Sequence, residues 1–104
     1  MDKARERAID RMLEQLGAAV DLLDHDEVDV ELGPGKLTIA CAGAKLILSR
    51  QPATGQIWLA EPRGGWHFDL HGEEWICDKR GVELIAELER LMGDLLGQGV
   101  KLGA

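Results

Sequence analysis

The chain is poor in cysteine, poor in aromatic residues and without a long apolar run. Its two cysteines, Cys41 and Cys77, lie far apart and form no CxxC pair. A disulfide framework is therefore unsupported, and reduced thiols in a reducing compartment are expected. Cys41 sits in an apolar run and reads as a small core hydrophobe. Cys77 has no CxxC partner and is followed directly by the acidic Asp78, so it is not read as an activated thiol. No apolar stretch approaches the length needed to span a bilayer. There is no internal repeat, low-complexity segment or linker. No nucleophile stands beside a base, and no helix opens on a phosphate-binding loop, because Gly64-Gly65 lies between strands. A calcium-binding loop is excluded by the missing D-x-D-x-D-G pattern, and the three histidines do not cluster.

What is present is a 104-residue chain, 45% hydrophobic and 30% charged. That is enough for one modest core and composes an ordinary globular domain, read here as residues 1–104. The formal net charge is −7. An acidic field disfavours nucleic acid and anionic membranes as partners and favours cations or a basic protein surface. The N-terminal residues run straight into an amphipathic helix. The mixed charges of Asp2, Arg5, Glu6 and Arg7 match neither a signal nor a transit peptide, so a cytoplasmic location is expected.

Residues 3 to 23 have helical spacing. Ile9, Leu13, Leu16, Val20 and Leu23 fall on one stripe, with the charged residues largely off it. Gly17 weakens this helix by about 1 kcal/mol relative to Ala. From Asp21 to Glu31 the chain carries six carboxylates in eleven residues and no Lys or Arg. The second half of that stretch alternates, with Val28, Val30 and Leu32 facing in and Asp29 and Glu31 facing out. Turn residues then punctuate strands at Lys36 to Cys41, Lys45 to Gln51, Gln56 to Ala60, Trp66 to Leu70 and Trp75 to Cys77. In the third strand Leu46 and Leu48 share one side, and Ile47, Ser49 and Gln51 the other. A second helix runs from Val82 to Leu96, with Asp78 placed to cap it and Gly97 to stop it. Val100 and Leu102 are expected to lie against the helices.

Short connections force antiparallel neighbours. Two helices with broad apolar stripes need one sheet face to cover, which predicts an α+β fold of two layers with the other sheet face in water. The antiparallel sheet has five or six strands, and the N- and C-terminal helices pack on one face. Within Gln56-Ile57-Trp58-Leu59-Ala60, Ile57 and Leu59 then face the helices. Trp58 lies with Gln56, Ser49, Gln51, His67 and Asp69 on the open face, where a large aromatic is a docking candidate. Trp66 and Trp75 read as core.

Five motifs stand in order along the chain: Leu37-Thr38-Ile39, Arg50-Gln51, Gln56-Ile57-Trp58-Leu59-Ala60, Gly64-Gly65 with His67-Phe68-Asp69, and Gly72-Glu73-Glu74-Trp75-Ile76-Cys77-Asp78. Together they resemble the frataxin family, its bacterial branch above all. Their order and spacing extend over nearly the whole chain, from the first helix to Leu102. The resemblance implies an αβα sandwich and a role in iron–sulfur cluster assembly. In that role the protein binds iron weakly, as Fe²⁺ or Fe³⁺, and contacts the cysteine desulfurase and the scaffold protein. It acts as a regulator, with iron donor or sensor as further roles. By motif position Asp21, Asp24, Asp26, Glu27, Asp29 and Glu31 form the acidic ridge that binds metal. Ser49, Arg50, Gln51, Gln56, Trp58 and His67 form the partner surface, set beside the acidic strand. A monomer is expected, with iron-driven oligomerisation as the alternative. An enzyme is not expected, although a ferroxidase-type iron-handling enzyme, with slow activity at the ridge, is one open alternative and an acidic adaptor without metal function is another. The chain departs from the family pattern in three places. Ser49 stands where Asn is usual, Pro52 follows Gln51 directly, and Leu22, Leu23 and His25 interrupt the ridge.

The acidic stretch has three readings on its own chemistry. Charge runs are most often solvated faces. Carboxylates are also hard ligands for iron and other divalent cations, and without a histidine cluster such binding is weak and largely electrostatic. Third, the stretch suits docking of a basic patch, weakened by salt. The second and third are compatible. His25 is read as a solvated turn residue, His67 as a contact residue and His71 as a loop residue.

Overall fold

The computed structural model describes residues 2–103. The N-terminal helix α1 spans Lys3–Asp21 and is capped by the Asp2 side chain, which accepts from the Arg5 amide at 2.9 Å. Six strands come next: β1 (Val28–Gly33), β2 (Lys36–Cys41), β3 (Ala44–Gln51), β4 (Gln56–Glu61), β5 (Gly64–His71) and β6 (Glu74–Cys77). The C-terminal helix α2 spans Leu84–Leu96. Each strand pairs antiparallel with its neighbour in sequence, so the sheet order is β1-β2-β3-β4-β5-β6. The expected α+β architecture is what the structure has, with six strands. Among the described residues no helix is long and apolar enough to cross a membrane.

The alternation read from the sequence decides which sheet face is covered. Leu37, Ile39, Cys41, Leu46, Leu48, Ile57, Leu59 and Phe68 are all within 1% of full burial. They meet Ile9, Leu13, Leu16 and Val20 of α1 and Leu84, Leu88 and Met92 of α2 in one core. Burying side chains of this kind contributes about 1.5–3 kcal/mol each. Val100 and Leu102 join that core, and the Leu102 amide donates to Glu89 Oε2 at 2.7 Å. The glycine that weakens α1 has a packing reason. A Cβ at Gly17 would stand 3.2 Å from a methyl of Leu37, so α1 approaches β2 more closely than Ala would allow without a shift.

Trp75 and Trp66 are buried, as expected. The Trp66 indole donates to Glu61 Oε2 at 3.0 Å, and the Arg80 guanidinium lies 3.7 Å over its ring. Burial alone would raise the Glu61 carboxyl. The hydrogen bonds from the Trp66 indole and the Arg63 amide outweigh it and hold the group below its ordinary range.

The cap of α2 is a correction. Asp78 does not cap the helix. Glu83 does, accepting from the amides of Ile85 at 2.8 Å and Ala86 at 3.1 Å. Residues 78–83 form a turn and a bridge from Glu83 back to Ile76, which leaves Asp78 on the sheet beside β5. At the other end, Gly97 adopts the left-handed conformation that closes α2, as the sequence suggested.

Candidate functional site

The acidic stretch is built at the join of α1 and β1. Asp21 is the last helical residue, and Asp24 turns the chain with φ at 47°. Asp and Asn visit this left-handed region more readily than other side chains. The Glu27 amide donates to His25 Nδ1 at 3.0 Å, and the Val28 amide to the His25 carbonyl, so His25 braces the turn. Beyond it Asp29 and Glu31 alternate outward along β1, the edge strand. Asp21, Asp24, Asp26, Glu27, Asp29 and Glu31 are all exposed. Among the described residues none of the six forms an ion pair. Two exposed apolar side chains flank them, Leu22 at 83% and Leu32 at 49%.

The ridge offers hard oxygen ligands without converging them. Among the described residues no three His, Cys, Asp or Glu side chains stand together as a metal-holding group. A cavity of about 290 Å³ at the α1–β1 join has Asp21, Asp24, Asp26 and Asp29 on its walls. This geometry fits a hydrated cation held by several carboxylates in turn, not a closed site. Behind the ridge, burial pushes the Cys41 thiol up, and the nearby Glu27 carboxylate adds to that. Cys41 is a core residue, as read from the sequence.

The open face of the sheet carries the second group. Register sets Lys36, Ser49, Trp58 and His67 side by side across four strands. The Asp78 amide, bonded to the His67 carbonyl at 2.9 Å, extends that row. The adjacent row is Gln51, Gln56, Asp69 and Ile76. Trp58 is half-buried and lies flat on His67, with ring centroids 4.2 Å apart and planes 12° from parallel. Its indole donates to Gln56 Oε1 at 2.9 Å. Gln51 donates to Ser49 Oγ at 3.0 Å. His67 Nδ1 is 3.8 Å from Asp78 Oδ2.

Three of the sequence assignments need adjusting. Arg50 is not on the open face. It shares the inward parity of Leu46 and Leu48, and its guanidinium passes over Gly35 to reach Asp10 of α1 at 2.7 Å, with Glu6 at 3.8 Å. Gln56 is on the open face but is only 8% exposed, because its amide is bonded on both sides. Trp58 is not beside the acidic strand. β2 and β3 intervene, so the two parts of the surface are separated by about 14 Å, three strand spacings. They still share one face, since Asp29 and Glu31 point the same way as Trp58. Sequence alternation gives Asp78 no place in this group and puts Asp69 on the face without a role. Asp69 stands two residues after His67 and so shares its side, which the alternation makes visible. Asp78 becomes visible only through cross-strand register.

The frataxin-like domain model matches residues 2–98 of the chain. The fold superimposes on the frataxin from Psychromonas ingrahamii, of the CyaY protein family, with a TM-score of 0.88 at 24% identity, covering 97% of this chain and 96% of that one. The trimeric frataxin from the yeast Saccharomyces cerevisiae is 31% identical, with a TM-score of 0.74, over 94% of this chain and 85% of that one. The same yeast protein in complex with ferrous iron matches at 31% identity and a TM-score of 0.74, over 94% and 92% of the two chains. The chain belongs to the frataxin family.

Proposed function

We propose that this protein is an iron-binding accessory protein of iron–sulfur cluster assembly, acting in the cytoplasm as a regulator of the cysteine desulfurase and its scaffold. The observation that carries this reading is the two-part open face. An edge strand of carboxylates without ion-pair partners among the described residues shares that face with a half-buried Trp stacked on a His. Charge gives encounter and register, and the aromatic gives a desolvated anchor. The complex of the yeast relative with ferrous iron supports iron as the cargo. Iron held among Asp21, Asp24, Asp26, Glu27, Asp29 and Glu31 neutralises the ridge and so tunes the partner contact. In this reading Ser49, Gln51, Trp58 and His67 meet the partner directly, and Gln56 supports them from beneath. The protein itself turns over no substrate, and oxygen consumption with Fe²⁺ above background contradicts that.

The direct test reverses Asp26, Glu27, Asp29 and Glu31 to Lys. Desulfurase binding is then lost and iron binding weakened, while far-UV circular dichroism is unchanged. Pull-down of the desulfurase that survives the reversal at moderate salt shows that the ridge is not a docking element.

A further inference from the structure

Gln56 is the most buried polar residue of the open sheet face, at 8% exposure. Both amide protons and the amide oxygen have partners. Nε2 donates to Asp69 Oδ1 at 3.0 Å and to Asp78 Oδ2 at 3.2 Å, and Oε1 accepts from the Trp58 indole at 2.9 Å. A primary amide can be turned either way about its last bond, and its neighbours decide which. Ionised carboxylates only accept, and an indole N–H only donates. The reversed amide would set its oxygen against two carboxylates and its NH₂ against the indole N–H. Asp69 and Asp78 therefore fix the direction of Gln56, and Gln56 fixes where the Trp58 ring lies. Asp78 also flanks His67, the other ring of the stack, at 3.8 Å.

We propose that Asp69 and Asp78 are positioning residues for the Trp58–His67 plate, acting through the Gln56 amide to hold the docking anchor in its bound orientation before the partner arrives. The inference rests on the docking reading only for its effect on affinity. The locking of the ring is a property of the free protein. A side chain ordered in advance does not have to be ordered on binding, so loss of the lock weakens docking about 3- to 10-fold.

The free protein is tested first. In Asp69→Ala/Asp78→Ala the Trp58 indole N–H, assigned in a ¹⁵N–¹H spectrum by Trp58→Phe, loses its protection from hydrogen exchange. The indole signals of Trp66 and Trp75 stay in place. Gln56→Leu has the same effect by removing the relay, and Asp69→Asn/Asp78→Asn restores much of the protection because Asn still offers an acceptor. Unchanged protection in the double Ala variant overturns the proposal, whatever Gln56→Leu does, because Gln56→Leu removes the acceptor itself. The second arm measures affinity for the desulfurase–scaffold complex. Asp69→Ala/Asp78→Ala weakens it 3- to 10-fold with Trp58 present and has no further effect in a Trp58→Ala background. Equal losses in both backgrounds mean that the carboxylates touch the partner themselves, which overturns the positioning role. Should Trp58→Ala alone leave affinity unchanged, the docking reading fails while the exchange measurement still decides the lock.

Discussion

Replacing Trp58 by Ala separates an anchored surface residue from a core one. The structure sets three losses against it. The stack on His67, with centroids 4.2 Å apart, is worth about 0.5–1.5 kcal/mol beyond its buried area. The 2.9 Å bond to Gln56 contributes about 1 kcal/mol. Gln56 Oε1 loses its donor, but the departed ring opens that spot to water, so the penalty for an orphaned acceptor stays small. With about 1 kcal/mol more for the buried part of the ring, the sum is about 3 kcal/mol, at the bottom of the 3–5 kcal/mol typical of a buried aromatic such as Trp75, which is 2% exposed. For a domain of this size about 3 kcal/mol lowers the melting temperature by roughly 15 °C, and a stability of about 5–15 kcal/mol tolerates that. Thermal unfolding of Trp58→Ala beside Trp75→Ala tests the difference. Affinity for the desulfurase–scaffold complex should fall by about 30-fold or more in Trp58→Ala, the behaviour of a central anchor. A melting temperature as low as that of Trp75→Ala refutes the surface assignment, and unchanged affinity refutes the docking role.

Two further outcomes concern other parts of the fold. Arg50→Ala removes the clip between β3 and α1 at Asp10 and lowers stability by about 1 kcal/mol in urea unfolding, with partner affinity unchanged because the side chain faces the helix. Loss of affinity in Arg50→Ala beyond the loss of stability contradicts its placement. Glu61 has a folded pKa below its unfolded one, so its contribution is present above the unfolded value near 4.5 and is lost as pH falls through the folded value. The stability gap between the natural protein and Glu61→Gln is therefore largest above pH 4.5 and closes below it, and a gap that ignores pH contradicts the bond to Trp66.

Most of the architecture was legible because two periods do most of the specifying. The stripe of Ile9, Leu13, Leu16 and Val20 and the alternation of Leu37, Ile39 and Cys41 both survive in the core unchanged. Arg50 shows where alternation should have been carried further. Its parity with Leu46 and Leu48 turns it inward, and only its place in a motif suggested otherwise. Asp78 shows the opposite limit. A carboxylate a few residues before a helix looks like a cap, and nothing local says that the chain makes a turn first and bridges back to Ile76. Its partners Gln56 and His67 come from two other strands, and they meet it through pairings that are fixed only when the sheet is assembled. Gln56 was visible as an open-face residue, but its burial depends on Asp69 and Asp78 from other elements as well as on Trp58 of its own strand.

In the proposed function this protein tunes a cysteine desulfurase through an iron-sensitive docking face. The measurement closest to it is the rate of sulfide production by the desulfurase with its scaffold, with and without this protein, across a series of Fe²⁺ concentrations. The expected result is a rate that changes on addition of the protein and changes again as iron neutralises the ridge, with both effects absent for the variant in which Asp26, Glu27, Asp29 and Glu31 are reversed to Lys. A rate that stays the same at every concentration of protein and iron contradicts the claim.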